Sequence, residues 1–174
     1  TQAPVGSTDP LDLYAYLEDY EASTGGSALS LAHNGNLSNG MMFALQDDFA
    51  DGEPLDAEYA ATRQKWERLY EATQIKGDGE AHPFLSPDDE FANYETWDVG
   101  NFAGVPKTNE MLEFEYARGA LKLGLSLYGE LGVNPFRFGM IGSTDSHTAL
   151  ATADEANFFG NNLATGEDCH VLQH

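Results

Sequence analysis

Short apolar segments bounded by glycines and polar turns alternate along this chain with stretches of helical periodicity, and this alternation constrains the fold most. The pattern predicts helices from Asp9-Pro10 to Gly25-Gly26, over about 56–66, and from 108 or 109 to about 131. It predicts strands at 27–33, 68–75 and 136–142. Helices that alternate with buried strands favour an α/β fold with mainly parallel pairing. Because no repeat or low-complexity linker divides the chain, we expect a single domain over 1–174.

The charge balance excludes two classes of partner. Eight Lys and Arg residues stand against 29 Asp and Glu residues, which gives a formal net charge of −21. A field of that sign repels phosphate backbones and anionic lipid headgroups, so we expect no nucleic-acid partner and no membrane partner. A hydrophobic content of 41% is nevertheless enough for a folded chain. With these two classes of partner excluded, a small-molecule substrate is the favoured ligand.

Polar side chains that suit a metal ion follow two of the predicted strands. His33 comes directly after the first strand, and Asp145 and His147 come directly after the last one. The carboxyl ends of parallel strands are where α/β folds place ligand-binding residues. If the backbone stays extended, Asp145 and His147 point to the same side, and His33 supplies a third ligand. Three nitrogen and oxygen ligands plus water suit a catalytic divalent metal such as Zn, Mn or Fe.

Two other interpretations of these loops stay open. A histidine after a strand more often makes loop hydrogen bonds than it binds metal. The loop also holds Ser143, Asp145, Ser146 and His147, which are the residue types of a catalytic triad. The triad is the less favoured interpretation, because the chain has no Gly-x-Ser-x-Gly elbow.

Further catalytic candidates lie in and after the second long predicted strand. Glu71 and Glu80 carry carboxylates that can bridge metals or act as general bases, and His82 follows them in the chain. The alternative for Glu71 is a surface acid beside Lys76. Residues 79–107, rich in Pro, Gly, Asp and Asn, predict a long ordered loop. We expect its aromatic residues to pack locally; they include Phe84, Phe91, Tyr94 and Trp97.

Several motifs of this chain resemble those of one enzyme superfamily. The segments Leu31-Ala32-His33-Asn34 and 141–147 are similar to the later metal-binding motifs of the polymerase and histidinol phosphatase (PHP) superfamily of metal-dependent hydrolases. The segments 33–40, 74–77, 80–84 and 94–98 resemble more specifically its bacterial branch called domain of unknown function 3604. The resemblance implies part of a distorted seven-stranded β/α barrel with metals at the carboxyl ends of its strands. The resemblance implies that His33, Asp145 and His147 are metal ligands, and it also places Glu71 among the site residues.

One family signature is missing from the chain. The His-x-His pair that opens the PHP pattern does not occur, and we therefore expect the chain to be the C-terminal portion of a larger protein. Open edges of a partial barrel invite pairing with a second copy, so a homo-oligomer is expected. The favoured function is that of a fragment of a metal-dependent hydrolase, which cleaves an ester-type bond through a metal-activated water, with little turnover in isolation. The alternative is a non-catalytic binding or assembly module.

Overall fold

Three helices and six strands make up the described part of the protein. The computed structural model describes residues 7, 9–47, 53–97, 99–143 and 145. Helix α1 spans Pro10–Thr24, α2 spans Ala57–Trp66 and α3 spans Ala117–Leu131. The strands are β1 (Ser30–Ala32), β2 (Gln46–Asp47), β3 (Glu53–Pro54), β4 (Glu67–Gln74), β5 (Gly77–Asp78) and β6 (Gly139–Gly142). Two 3₁₀ turns cover Gly35–Leu37 and Asn109–Phe114.

The first two helices begin where side-chain caps place them. The Asp9 carboxylate accepts a hydrogen bond from the backbone N–H of Leu11 at 2.9 Å, and a proline opens the first turn of α1. Asp56 caps α2 in the same way, since it accepts from the backbone N–H of Tyr59 at 2.7 Å. Both predicted starts are confirmed. Within the described residues, no helix combines the length and the apolar character needed to cross a bilayer.

Strand β4 is the centre of an open sheet. It pairs in parallel with β1 on one side and with β6 on the other, and β5 folds back on its last residues in antiparallel fashion. Strands β2 and β3 form a separate antiparallel pair. The described residues therefore confirm the α/β class with mainly parallel pairing in the larger sheet. The partial barrel stays a prediction.

The predicted long helix is interrupted by the demands of packing. A 3₁₀ turn occupies 109–114 and α3 begins only at Ala117; the two residues between them, Glu115 and Tyr116, are completely buried. Instead of a capping side chain, backbone carbonyls of the preceding loop satisfy the first N–H groups of α3. Ala117 N–H donates to Gly79 O at 2.8 Å and Arg118 N–H donates to Glu80 O at 3.0 Å.

The last strand is shorter than predicted. Only Gly139–Gly142 pair with β4, and their surface is exposed. Phe136 lies instead in the core, where its ring packs edge-on against Phe43 with 5.4 Å between centroids. The remaining core comes mainly from one face of β4 and from α3; it comprises Leu55, Tyr70, Ala72, Ala117 and Ala120. Since side chains alternate along a strand, Glu71 belongs to the opposite face of β4.

A polar network fastens both helices α1 and α2 to the start of β4. The two carboxylate oxygens of Glu67 accept from Tyr14 Oη at 2.6 Å and from Arg63 Nε at 2.8 Å. The Arg63 guanidinium is buried and lies 4.9 Å from the centroid of the Phe136 ring. Burial, together with the Glu67 carboxylate, raises the pKa of Tyr14, so its hydroxyl stays a donor at neutral pH. Loss of the Glu67 charge therefore leaves the Tyr14 hydroxyl and the Arg63 guanidinium without a charged hydrogen-bond acceptor.

We predict that Glu67→Gln lowers the free energy of unfolding by about 2 kcal/mol, the range of hydrogen bonds to charged groups. Urea denaturation measures the change. The matched control is Glu18→Gln, which removes an exposed ion pair with Lys65 and is expected to cost less than about 1 kcal/mol. Equal losses in the two variants would contradict a central role for the network.

Candidate functional site

Six polar residues meet where the parallel strands end. His33 and Asn34 follow β1 directly, Asp145 lies three residues beyond the end of β6, and the others lie in β4 or just after it. We call this group the strand-end cluster; its members are His33, Asn34, Glu71, Gln74, Lys76 and Asp145. The carboxyl edge of a parallel sheet is the usual location of ligand sites in open α/β folds. The register of the strands explains how the cluster forms.

His33 and Glu71 meet because of the pairing between β1 and β4. Leu31 is the register partner of Leu69, and two residues further along each strand lie His33 and Glu71 on the same face. The distance from His33 Nδ1 to Glu71 Oε2 is 3.7 Å. The side chain of His33 is 50% exposed, whereas that of Glu71 is only 8% exposed. The carboxylate is thus fixed within the fold, and the imidazole faces solvent beside it.

A buried glutamine orients both of these side chains. Gln74 Nε2 donates to Asn34 Oδ1 at 2.6 Å and to Glu71 Oε2 at 3.3 Å. Because the oxygen of the Asn34 amide faces Gln74, its nitrogen faces His33 Nδ1, at 2.9 Å. An amide nitrogen can only donate, so His33 Nδ1 is the acceptor. Sequence reasoning gave no role to Asn34 or Gln74, although the 74–77 segment was among the motifs that resemble the family.

Lys76 supplies a positive charge to the cluster. Its ammonium forms an ion pair with the Asp145 carboxylate, and both side chains are mostly buried. Burial lowers the pKa of Lys76, and the nearby Glu71 carboxylate opposes that effect. Asp145 has a left-handed backbone with a φ of +50°, so the extended backbone assumed for Asp145 and His147 is wrong at Asp145. His147 itself lies outside the described residues.

His82 lies in a turn at the start of the long loop. Its ring is buried and packs against the ring of Tyr116, with 5.2 Å between centroids. Its Nδ1 accepts from the backbone N–H of Phe84 at 3.1 Å, and its carbonyl accepts from two further N–H groups of the same turn. These contacts hold a turn of the long loop. The catalytic role of His82 stays a prediction.

The base of the long loop packs against the turn that carries Lys76. Gly77 has a φ of +103°, and a Cβ there would lie 2.8 Å from Trp97 Cβ, so the turn requires glycine. Asn36 Nδ2 donates to Lys76 O at 3.0 Å, and the buried Lys107 ammonium bonds both Asn36 O and the Glu115 carboxylate. The cluster is therefore supported from the side of the loop.

The aromatic residues of this loop do not all pack as predicted. Trp97 contacts the turn at Gly77, as expected for local packing. Phe84, Phe91 and Tyr94 are 57%, 75% and 66% exposed, so local packing is wrong for these three. Hydrogen bonds of backbone and carboxylate groups hold the loop instead of aromatic packing. For example, the Asp89 carboxylate accepts from Arg118 and from the Phe91 N–H.

The cluster meets part of the requirement for a metal ion. Bonds from zinc to histidine nitrogen or carboxylate oxygen are about 2 Å long, so one ion can touch both His33 Nδ1 and Glu71 Oε2 across their 3.7 Å separation. Such an ion would replace the hydrogen bond from Asn34. Asp145, the next carboxylate, is held by Lys76. Among the described residues, no group of three His, Cys, Asp or Glu side chains is arranged to hold one ion.

An open parallel sheet with polar residues gathered at its carboxyl edge makes this chain an α/β protein with a strand-end site. Residues 2–172 match the model of the family described as "Protein of unknown function (DUF3604)", and the chain belongs to this family. That match confirms the DUF3604 part of the resemblance, while the place of the chain in the PHP superfamily stays a prediction. No curated protein and no solved structure matches the chain.

The direction of the amide contacts predicts the tautomer of His33. With Nδ1 as acceptor, neutral His33 carries its proton on Nε2. Long-range ¹H–¹⁵N NMR at alkaline pH, where histidines are neutral, measures this tautomer, and the His33→Gln variant assigns the signal. A signal of the Nδ1–H form would contradict the contact network.

Proposed function

We propose that the strand-end cluster is the centre of a metal-dependent hydrolase of the PHP type, whose sheet is part of a distorted β/α barrel. The observation that carries the proposal is the 3.7 Å approach of His33 Nδ1 to Glu71 Oε2 at the ends of adjacent parallel strands. Asp145 reaches the same cluster from β6. In this proposal His33, Asp145 and His147 would hold the ion, and Glu71 Oε2 would contact it beside His33.

The residues of the cluster suit hydrolysis of an ester-type, phosphoester-like bond in a small molecule. A divalent cation bound there would supply a water of lowered pKa. Gln74 fixes Glu71 Oε2, the oxygen that would contact such an ion, and the second oxygen of this carboxylate would act as the general base. The net charge of −21 favours the approach of cations and disfavours nucleic acids as substrates.

A second candidate function is supported by different contacts. The ion pair between Lys76 and Asp145 and the amide contacts of Gln74 satisfy the cluster from within. In the sheet of the described residues, β6 pairs only with β4, and its Met140 and Ile141 are exposed. Such an edge suits pairing with a second copy of the chain, as in a non-catalytic assembly module.

Metal content separates the two functions. We expect the wild-type chain, purified without chelator, to retain Zn, Mn or Fe in stoichiometric amount by mass spectrometry, and to hydrolyse an aryl phosphate at a low rate. Glu71→Gln should lower the rate by a factor of about 10²–10⁴, the usual contribution of a general base. Asp145→Ala should lose most of the metal, because it removes a charged ligand.

The matched control is Glu113→Gln, which changes an exposed carboxylate on the second 3₁₀ turn. It should leave metal content and rate unchanged. Absence of stoichiometric metal from both the wild type and Asp145→Ala would defeat the hydrolase and favour the assembly module. Light scattering on the same samples then reports whether the chain forms dimers.

A further inference from the structure

Lys76 is held so that its ammonium reaches the carboxylates of the strand-end cluster. Its backbone N–H donates to Gln74 Oε1 at 3.2 Å, and its carbonyl accepts from Asn36 Nδ2 at 3.0 Å. Gly77 reverses the chain immediately after it. The side chain then runs through a mostly buried space to the Asp145 carboxylate, close enough to Glu71 to feel its charge. The turn thus fixes where the positive charge lies.

We infer that the Lys76 ammonium is the resident counter-ion of Glu71 and Asp145, and that it competes directly with a divalent cation for these two carboxylates. This inference rests on the proposed function and deepens it, because it names the group that an incoming metal ion must displace. It also assigns to Lys76 a positioning role for Asp145, which the sequence did not indicate.

Simple electrostatics supports this competition. Two charges interact several-fold more strongly near a protein surface than in bulk water, and a divalent ion doubles the interaction of a single charge. An ion that binds Glu71 and Asp145 loses affinity through repulsion by Lys76 and through the loss of the existing ion pair. The ammonium is strongly hydrated and sits on a flexible stem, so it can swing into solvent when displaced.

The test compares metal affinity in Lys76 variants of the full chain. After removal of bound metal with chelator, Mn²⁺ is titrated by calorimetry, and electron paramagnetic resonance counts the bound ion. We expect Lys76→Met to bind Mn²⁺ at least about tenfold more tightly than the wild type, because a like charge is gone. Lys76→Arg should bind as weakly as the wild type. Lys122→Met, at an exposed position of α3, is the matched control and should leave affinity unchanged.

Thermal unfolding gives a second readout that does not depend on activity. Without metal, Lys76→Met should melt at a lower temperature than the wild type, since its carboxylates lose their counter-ion, and Mn²⁺ should raise its melting temperature more than that of the wild type. If Lys76→Met does not fold, Lys76→Gln serves for the same comparison.

The outcomes separate this inference from the proposed function. Equal or weaker Mn²⁺ binding by a folded Lys76→Met overturns the inference, while metal retention by the wild type would leave the hydrolase in place. If only Lys76→Met binds Mn²⁺ tightly, the inference is supported, and the proposal that the wild-type protein retains a metal ion is overturned. Failure of both chains to bind Mn²⁺ overturns both.

Discussion

Parallel pairing on both sides of β4 is the constraint on which the described structure depends. Leu69 is the register partner of Leu31 in β1 and of Gly139 in β6, so the three strands run in the same direction and end at one edge. One face of β4 contributes Tyr70 and Ala72 to the core. The opposite face carries Glu71 to the edge where His33 arrives. The same register therefore builds the core and the strand-end cluster.

The core and the cluster are also joined by a close approach of backbone to side chain. A Cβ on Gly35, just after His33 and Asn34, would lie 2.4 Å from both Glu115 O and Tyr70 Oη, so this turn can approach the core only with glycine. Burial raises the pKa of Glu115, and the hydrogen bond from Lys107 opposes that effect. The Lys107 ammonium bonds Glu115 and the Asn36 carbonyl at once, which ties the end of the long loop to the turn beside the cluster.

Local signals in the sequence predicted part of this structure well. The starts of α1 and α2 follow from Asp9 and Asp56, because a capping carboxylate bonds N–H groups two or three residues away. The position of His33 directly after a strand also followed from a local signal, the short apolar segment that precedes it. The start of α3 was not predictable in this way, since it depends on carbonyls of Gly79 and Glu80 that are distant in the chain.

The hydrogen bonds and the ion pair within the cluster could not be predicted from the sequence either. Lys76 and Asp145 are 69 residues apart, and Gln74 and Asn34 are 40 residues apart, so only the folded sheet brings them together. The contact between the rings of His82 and Tyr116 likewise joins residues that are distant in the chain. The sequence identified the edge where His33, Glu71 and Asp145 gather, while the folded structure added the lysine and the amides that hold them.

The central proposal is that His33 and Glu71 share a cation position at the end of the parallel strands. Anomalous scattering from crystals of the wild-type protein soaked in Mn²⁺ tests it most directly. The account predicts a manganese peak about 2 Å from a ring nitrogen of His33 and from the Glu71 carboxylate, with the Lys76 ammonium moved away from Asp145. A difference map with no peak between these two side chains, in crystals that show the same strand register, would contradict it.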